Sequence, residues 1–164
     1  DTPNGNGGVK AVTAIDKLSL ITVEGKGMLG VPGIAARTFG SVAKAQISVL
    51  LISQASSEQS ICFATPDELA DKVISSLNAE FEEEIHRQDI DHIWAQRTVS
   101  IVTVVGAGMR GTPGIAGRVF TALGQHDLNI IAIAQGSSEC SISLVVDGQD
   151  AAEAVRYIHE LIVA

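Results

Sequence analysis

Apolar and polar positions along this chain alternate between two periods. Leu18–Gly25 (LSLITVEG) and Val99–Gly106 (VSIVTVVG) are rich in β-branched residues and end in glycine, as strands running into turns do. A glycine loop follows each. The period then lengthens. Ala35, Phe39 and Val42 fall at i, i+4 and i+7, and Ala116, Phe120 and Leu123 repeat the spacing. Each loop therefore opens a helix, with Pro32 or Pro113 at its start, where a missing N–H costs little. Ile47–Gln54 and Leu128–Gln135 read as the next strands. The polar turns ASSE and GSSE lead into further strands, QSICFA and CSISLVV. A second helix follows in each half. Thr65, Pro66 and Glu68 have capping-box spacing, and Asp150 with Glu153 has an acidic version of it. Leu69, Val73 and Leu77 form one apolar stripe; Val155, Ile158 and Leu161 or Ile162 form the other.

The two halves are copies. GKGMLGVPGIAARTF (Gly25–Phe39) recurs as GAGMRGTPGIAGRVF (Gly106–Phe120), an offset of 81 residues. The same offset carries Ile52–Ile61 onto Ile133–Ile142, and Val9–Ile15 onto Ile90–Gln96. Each copy reads β-α-β-β-α. A split βαβ sandwich needs one more strand, giving βαββαβ with both helices on one face of an antiparallel sheet. Asp89–Gln96 (DIDHIWAQ) supplies it to the first copy. The second copy lacks a trailing strand, and Val9–Ile15 (VKAVTAI) stands spare at the front. The expected fold is α+β: two ferredoxin-like βαββαβ domains, one nested in the other. Residues 1–8 form a linker, 16–96 the first domain, and 9–15 with 97–164 the second. A rival arrangement, with each leading strand folded as a hairpin onto the strand after it, stays open.

Composition narrows the function classes. Hydrophobic residues make up 46% of the chain and aromatics 4%, so the core must be built from Val, Ile, Leu and Ala. The net charge of −8, with no basic run, argues against nucleic-acid binding. No Lys/Arg-rich amphipathic face or bilayer-length apolar run points to a membrane, and no signal-peptide pattern opens the chain. Cys62 and Cys140 sit in strand-like segments and read as buried, reduced thiols of a cytoplasmic protein. His86, His92, His126 and His159 form no metal-ligand spacing, so no metal is expected. The opening DTPNGNGG reads as a flexible linker, as in a piece of something longer.

The glycine loop is the candidate chemistry. GKGMLG (Gly25–Gly30) and GAGMRG (Gly106–Gly111) match G-x-G-x-x-G between a strand and a helix. A dinucleotide site also needs a parallel return strand ending in an acidic residue for the ribose. Ile52–Gln54 and Ile133–Gln135 carry none, and no G-K-[ST] follows the loops. The physics that remains is general: a helix N-terminus with free N–H groups holds a carboxylate as readily as a phosphate. Gln54 and Gln135 offer neutral amides to a small polar ligand, whereas Ser56, Ser57, Ser137 and Ser138 read as turn residues. Glu58 and Glu139 read as solvated. The acidic run Glu80, Glu82, Glu83, Glu84 reads as a solvated helix end, and Trp94 with Arg97 as core and strand-end residues. No catalytic constellation is apparent.

These stretches, VEGKGMLGVPGIAARTF with ISVLLISQASSEQSICF and GAGMRGTPGIAGRVF with LNIIAIAQGSSE, resemble the tandem ACT domains of aspartate kinase. The wording is closest to the bifunctional aspartokinase–homoserine dehydrogenases. The resemblance covers Val9 to the C-terminus. It implies feedback control by an end-product amino acid of the aspartate pathway, with ACT domains pairing side by side, as in a homodimer, and effectors bound where they pair. The effector carboxylate would meet Gly27, Met28, Leu29, Gly30, Val31, Pro32 and Gly33, or Gly108, Met109, Arg110, Gly111, Thr112, Pro113 and Gly114. Its amino group would meet Ser48 and Val49, or Asn129 and Ile130. Gln54 and Gln135 stand where the family links glutamine to threonine response. Lysine-sensing members carry an acid where this chain has Leu50 and Ile131, which favours L-threonine: an unpaired ammonium there would be costly. The kinase's nucleotide and aspartate residues are absent, so the chain is expected to be no enzyme by itself. ATP and Mg would belong to a kinase domain elsewhere. The other readings are an ACT pair that only dimerises and a nucleotide-binding enzyme domain.

Overall fold

The computed structural model describes residues 9–28, 31–53, 59–106, 115–135 and 141–163. Its elements are β1 (Val9–Glu24), α1 (Ile34–Lys44), β2 (Leu51–Ser53), β3 (Ser60–Pro66), α2 (Ala70–Glu80), α3 (Glu82–His86), β4 (His92–Gly106), α4 (Ile115–Gln125), β5 (Ile130–Gln135), β6 (Ser141–Asp147) and α5 (Ala151–Val163). By contacts the chain divides into two compact units. The inserted unit is Lys17–Thr98; the split unit joins the chain up to Asp16 to the chain from Val99 onward.

The hairpin arrangement does not form. The two leading segments run on as one strand, β1, because nothing at Asp16–Lys17 breaks it; Lys17 alone steps into positive φ, at 61°. The strands expected around Trp94 and Val102 likewise merge into β4. In the inserted unit the strand order is β2-β3-β1-β4, using the second half of β1 and the first of β4. In the split unit it is β5-β6-β4-β1, using the other halves. Each unit thus has four strands in the ferredoxin-like order. Pairing is antiparallel: Ile21 faces Phe63 across β1 and β3, and Val102 faces Leu144 across β4 and β6.

Each core sits between the sheet and its helices. In the inserted unit Ile21, Val23 and Phe63 meet Val42, Val73, Leu77 and Phe81, all under 2% exposed. In the split unit Val102, Val104, Leu144, Leu123, Ala154 and Ile158 take the equivalent places. Val9 packs into the split core as Ile90 packs into the inserted one, one repeat apart. The helix face differs from the expected one. Ala35 is exposed, and α1 buries Ile34, Thr38 and Val42, the Thr38 hydroxyl being spent on the Ile34 carbonyl at 2.8 Å.

Four other expectations need correction. Thr65 does not cap α2: it closes β3, fully buried, and its Oγ1 has no hydrogen-bond partner. A short 3-10 turn, Asp67–Leu69, leads into α2 with no side-chain cap. Asp67 is used instead to accept from the Ser19 hydroxyl and, at 3.1 Å, from the Thr98 hydroxyl. In the split unit the capping residue is Asp147, accepting from the Gln149 amide at 2.9 Å, rather than Asp150. Trp94 is 40% exposed and lies outside both cores, its Nε1 donating to Glu24 at 3.0 Å.

The acidic run is the fourth. Glu84 is 5% exposed. Arg37 reaches across from α1 to donate to Glu84 at 2.7 Å and to Glu80 at 2.8 Å, with its guanidinium 4.7 Å above the Phe81 ring. The hydrogen bonds from Arg37 hold the Glu84 carboxyl below its ordinary range, and Glu84 with Glu80 raises Arg37 further above its own. A charge in this position stays ionised because its partner is fixed by two hydrogen bonds and a ring.

Two outcomes test this packing. Thr65→Val removes an orphaned buried hydroxyl and should raise stability by about 1 kcal/mol in urea unfolding. The depressed Glu84 carboxyl contributes stability that is complete above the usual glutamate pKa and is lost as pH falls through its lower folded value. Between about pH 5 and pH 3, wild-type stability should therefore fall more steeply than that of Glu84→Gln.

Candidate functional site

The first glycine loop leaves β1 at Glu24 and enters α1 at Gly33. Its geometry separates the glycines by role. A Cβ on Gly25 would lie 2.2 Å from the Asp89 carbonyl oxygen, and one on Gly27 would lie 2.6 Å from the Asp89 Cα. These two are glycine because the turn after α3 crosses directly over them. Their amides are spent as well: Gly25 donates to the Gln59 carbonyl at 3.0 Å and Gly27 to the Asp89 carbonyl at 3.1 Å. The Lys26 amide faces the Asp91 carboxylate at 3.4 Å. Sequence reasoning placed Asp89 in a strand and missed this turn; the repeated small residue at Gly25 and Gly27 was the available signal.

Gly33 is different. It stands in open space at φ +82°, the left-handed region, and starts α1 with its carbonyl accepting from Arg37 N at 2.9 Å. No side chain caps α1. First-turn N–H groups without an intrahelical acceptor, at the positive end of the helix dipole, make this the anion-facing part of the loop. Pro32 is exposed beside it and Val31 is half-buried. Met28 points the other way, 7% exposed in the core of the inserted unit. Leu29 and Gly30 lie outside the described residues, as do Gln54 and the second loop from Gly108 to Gly114 with Met109, Arg110, Gly111, Thr112 and Pro113.

The amino-group positions lie elsewhere. Ser53 pairs with Cys62, which pairs with Thr22; Leu51 pairs with Ala64, which pairs with Leu20. The chain through β2 therefore travels toward the Glu24 end of β1. Ser48 and Val49 precede Leu51 and lie toward the opposite end of β1. At about 3.3 Å per residue the separation along the sheet is on the order of 20 Å. In the inserted unit a single small molecule would not span from the start of α1 to Ser48 and Val49. In the split unit Asn129 is exposed, Ile130 begins β5 and Gln135 ends it opposite Ile142.

Both β2 and β5 are edge strands of their units, and both present an exposed isoleucine at the same repeat position: Ile52, 56% exposed, and Ile133, 46%. Near the loop, Glu24 accepts from Trp94 Nε1 at 3.0 Å, and His92 Nε2 lies 3.0 Å from the same carboxylate oxygen, so the carboxylate is engaged. Burial pushes the Cys62 thiol up, with Thr22 Oγ1 3.4 Å from the sulfur; Cys140 lies outside the described residues. Among the described residues no cluster of His, Cys, Asp or Glu could hold a metal, and no helix is long and apolar enough to cross a membrane.

Replacing the two kinds of glycine should separate their roles. Gly27→Ala forces a Cβ into backbone and should cost about 1–3 kcal/mol of stability. Gly33→Ala meets only conformational strain, about 1 kcal/mol. Chemical unfolding of both variants checks the order.

The ACT domain family model matches residues 21–81 and 102–161. A bifunctional aspartokinase/homoserine dehydrogenase from Haemophilus influenzae is 45% identical over 152 residues, 93% of this chain and 19% of that protein. The regulatory subunit of aspartate kinase from Thermus thermophilus, in its ligand-free form, superimposes with a TM-score of 0.75 at 24% identity, over 94% of this chain and 98% of that one. Aspartokinase III from E. coli, crystallised with lysine and aspartate, gives a TM-score of 0.72 at 25% identity, over 99% of this chain and 35% of that one. This chain spans about a fifth of the length of the first relative. It belongs to the ACT domain family, carries two of its domains in tandem, and is similar to the regulatory part of aspartate kinases.

Proposed function

We propose that this chain is the allosteric regulatory region of an aspartate kinase, and that it binds L-threonine as an end-product effector for feedback inhibition. The observation that carries the reading is the division of the ligand seat in the inserted unit. The uncapped start of α1 suits a carboxylate, and Ser48–Val49 suits an amino group, yet they lie at opposite ends of one unit. A free amino acid joins them only where two ACT domains lie side by side, each supplying one half. The exposed edge isoleucines Ile52 and Ile133 fit such pairing in a homodimer. Each unit is then one ACT domain, and a cytoplasmic biosynthetic enzyme is the natural parent. ATP and Mg would act in its kinase domain, outside this chain.

Threonine is favoured over lysine by Leu50, 42% exposed, and Ile131, neither of which offers an ammonium a counter-ion. The E. coli enzyme crystallised with lysine makes lysine the rival to exclude. The calorimetric test titrates L-threonine, L-lysine and NAD separately into the 164-residue chain. Heat from threonine alone supports the reading. Heat from lysine replaces the effector; heat from NAD overturns the regulatory reading; silence from both amino acids leaves an ACT pair that only dimerises. Gln54→Ala or Gln135→Ala should weaken threonine about tenfold, the loss of one hydrogen bond to a polar ligand.

A further inference from the structure

We propose that Arg37 is a positioning residue for the effector seat of the inserted unit: through Glu84 it ties the start of α1 and the glycine loop before it to one stretch of chain, Glu80–Asp91. The inference rests on reading the start of α1 as the carboxylate half of that seat, and it adds which side chain holds the seat in shape. All three guanidinium nitrogens are engaged. Nε donates to the Glu80 carboxylate at 2.8 Å and Nη1 to the Glu84 carboxylate at 2.7 Å. Nη2 donates to the Glu80 carbonyl at 2.8 Å and to the second Glu84 oxygen at 3.3 Å. An arginine held in this way acts on a ligand through the structure that it fixes.

The seat lies between two anchor points. On the exit side stands Arg37, one turn into α1, whose own amide makes the first intrahelical bond, to the Gly33 carbonyl at 2.9 Å. On the entry side Gly27 donates to the Asp89 carbonyl at 3.1 Å, and the Asp91 amide donates to the Glu24 carbonyl at 2.8 Å. Glu84 joins the two sides. Its carboxylate takes Arg37, and its carbonyl takes the Asp89 and Ile90 amides at 2.8 and 3.1 Å. The path from α1 through Arg37, Glu84 and Asp89 to Gly27 therefore closes a circuit around the loop. Helix α1 has no side-chain cap to fix its first turn from within, and Ser41 Oγ reaches the Ser76 carbonyl only at 3.4 Å. Free N–H groups bind an anion only along their own directions, so the affinity of such a seat depends on what holds the helix start at a fixed angle. Lysine at position 37 would keep the charge without the planar fork, which separates charge from geometry.

The test is NMR on the isotopically labelled 164-residue chain, read at the Ile34, Ala35 and Ala36 amides while L-threonine is added. In the wild type these amides should shift. Arg37→Ala should weaken the affinity that they report by about tenfold or more, and Arg37→Lys by nearly as much. Glu84→Gln keeps an acceptor oxygen for Arg37 and both carbonyl bonds, and should weaken it only about threefold. Without threonine, hydrogen exchange at the Gly27 amide should quicken about tenfold in Arg37→Ala, while Ile21 and Phe63 in the core strands keep their wild-type protection. Equal quickening at Phe63 would make Arg37 a general stabiliser and overturn the proposal. Wild-type affinity in Arg37→Ala or in Arg37→Lys would overturn it too, with the effector reading left standing. Wild-type shifts in α4 but not at Ile34–Ala36 would likewise sink the proposal alone. No shifts anywhere in the wild type would remove the effector reading and this proposal with it.

Discussion

Everything in this fold depends on two strands that each serve both units. β1 gives Val9–Asp16 to the split unit and Lys17–Glu24 to the inserted unit; β4 is divided the same way near Thr98. A β-α-β-β-α run leaves one strand unpaired and one edge of the core open. Ile90 closes that edge in the inserted unit and Val9 does so in the split unit, each fully or nearly buried. Ile90 follows directly in the chain on the run it completes, whereas Val9 comes from the other end of the chain. The hydroxyls at the crossover are tied to carboxylates, Ser100 to Asp16 at 2.7 Å and Ser19 to Asp67, which satisfies two serines that are almost wholly buried.

The glycine loop hangs from the same frame. Arg37 fixes the Glu84 side chain. The Glu84 carbonyl accepts from the Asp89 and Ile90 amides at 2.8 and 3.1 Å, and the Asp89 carbonyl accepts from Gly27. The candidate seat is therefore positioned by α1 and by the turn after α3 together. In sequence, one repeat away from Asp89 stands Gly8, and one repeat away from Asp91 stands Lys10. The two copies of the motif share their glycines and differ in charge at these aligned positions.

The repeat was what made the fold legible. An offset of 81 residues counted the strands, and the spare segment at the front pointed to nesting while leaving a hairpin arrangement open. Periodicity found every long helix, and Leu77, Leu123 and Ile158 are where the stripes put them. What it missed was local and tertiary. Thr65 looks like a cap because capping and strand-end threonines share a sequence context; only the β1–β3 register, with Thr65 opposite Ser19, decides. Glu84 looks solvated in a run of acids because its partner lies 47 residues away. The site was legible as a motif but not as a geometry: Gly25 and Gly27 serve packing against a turn that sequence alone did not reveal.

A seat divided between the start of α1 in one domain and Ser48–Val49 in another would have a consequence for regulation. A ligand shifts an equilibrium only by its difference in affinity between the two states. An amino acid held wholly within one unit would bind a paired and an unpaired chain alike and would transmit nothing. Where the carboxylate half and the amino half come from different domains, the full set of hydrogen bonds exists only in the paired arrangement. Losing one half would cost about 1.4 kcal/mol or more, a factor of ten or greater between the two states, which is within the range of allosteric coupling. A seat divided between two domains in this way would therefore report on their pairing.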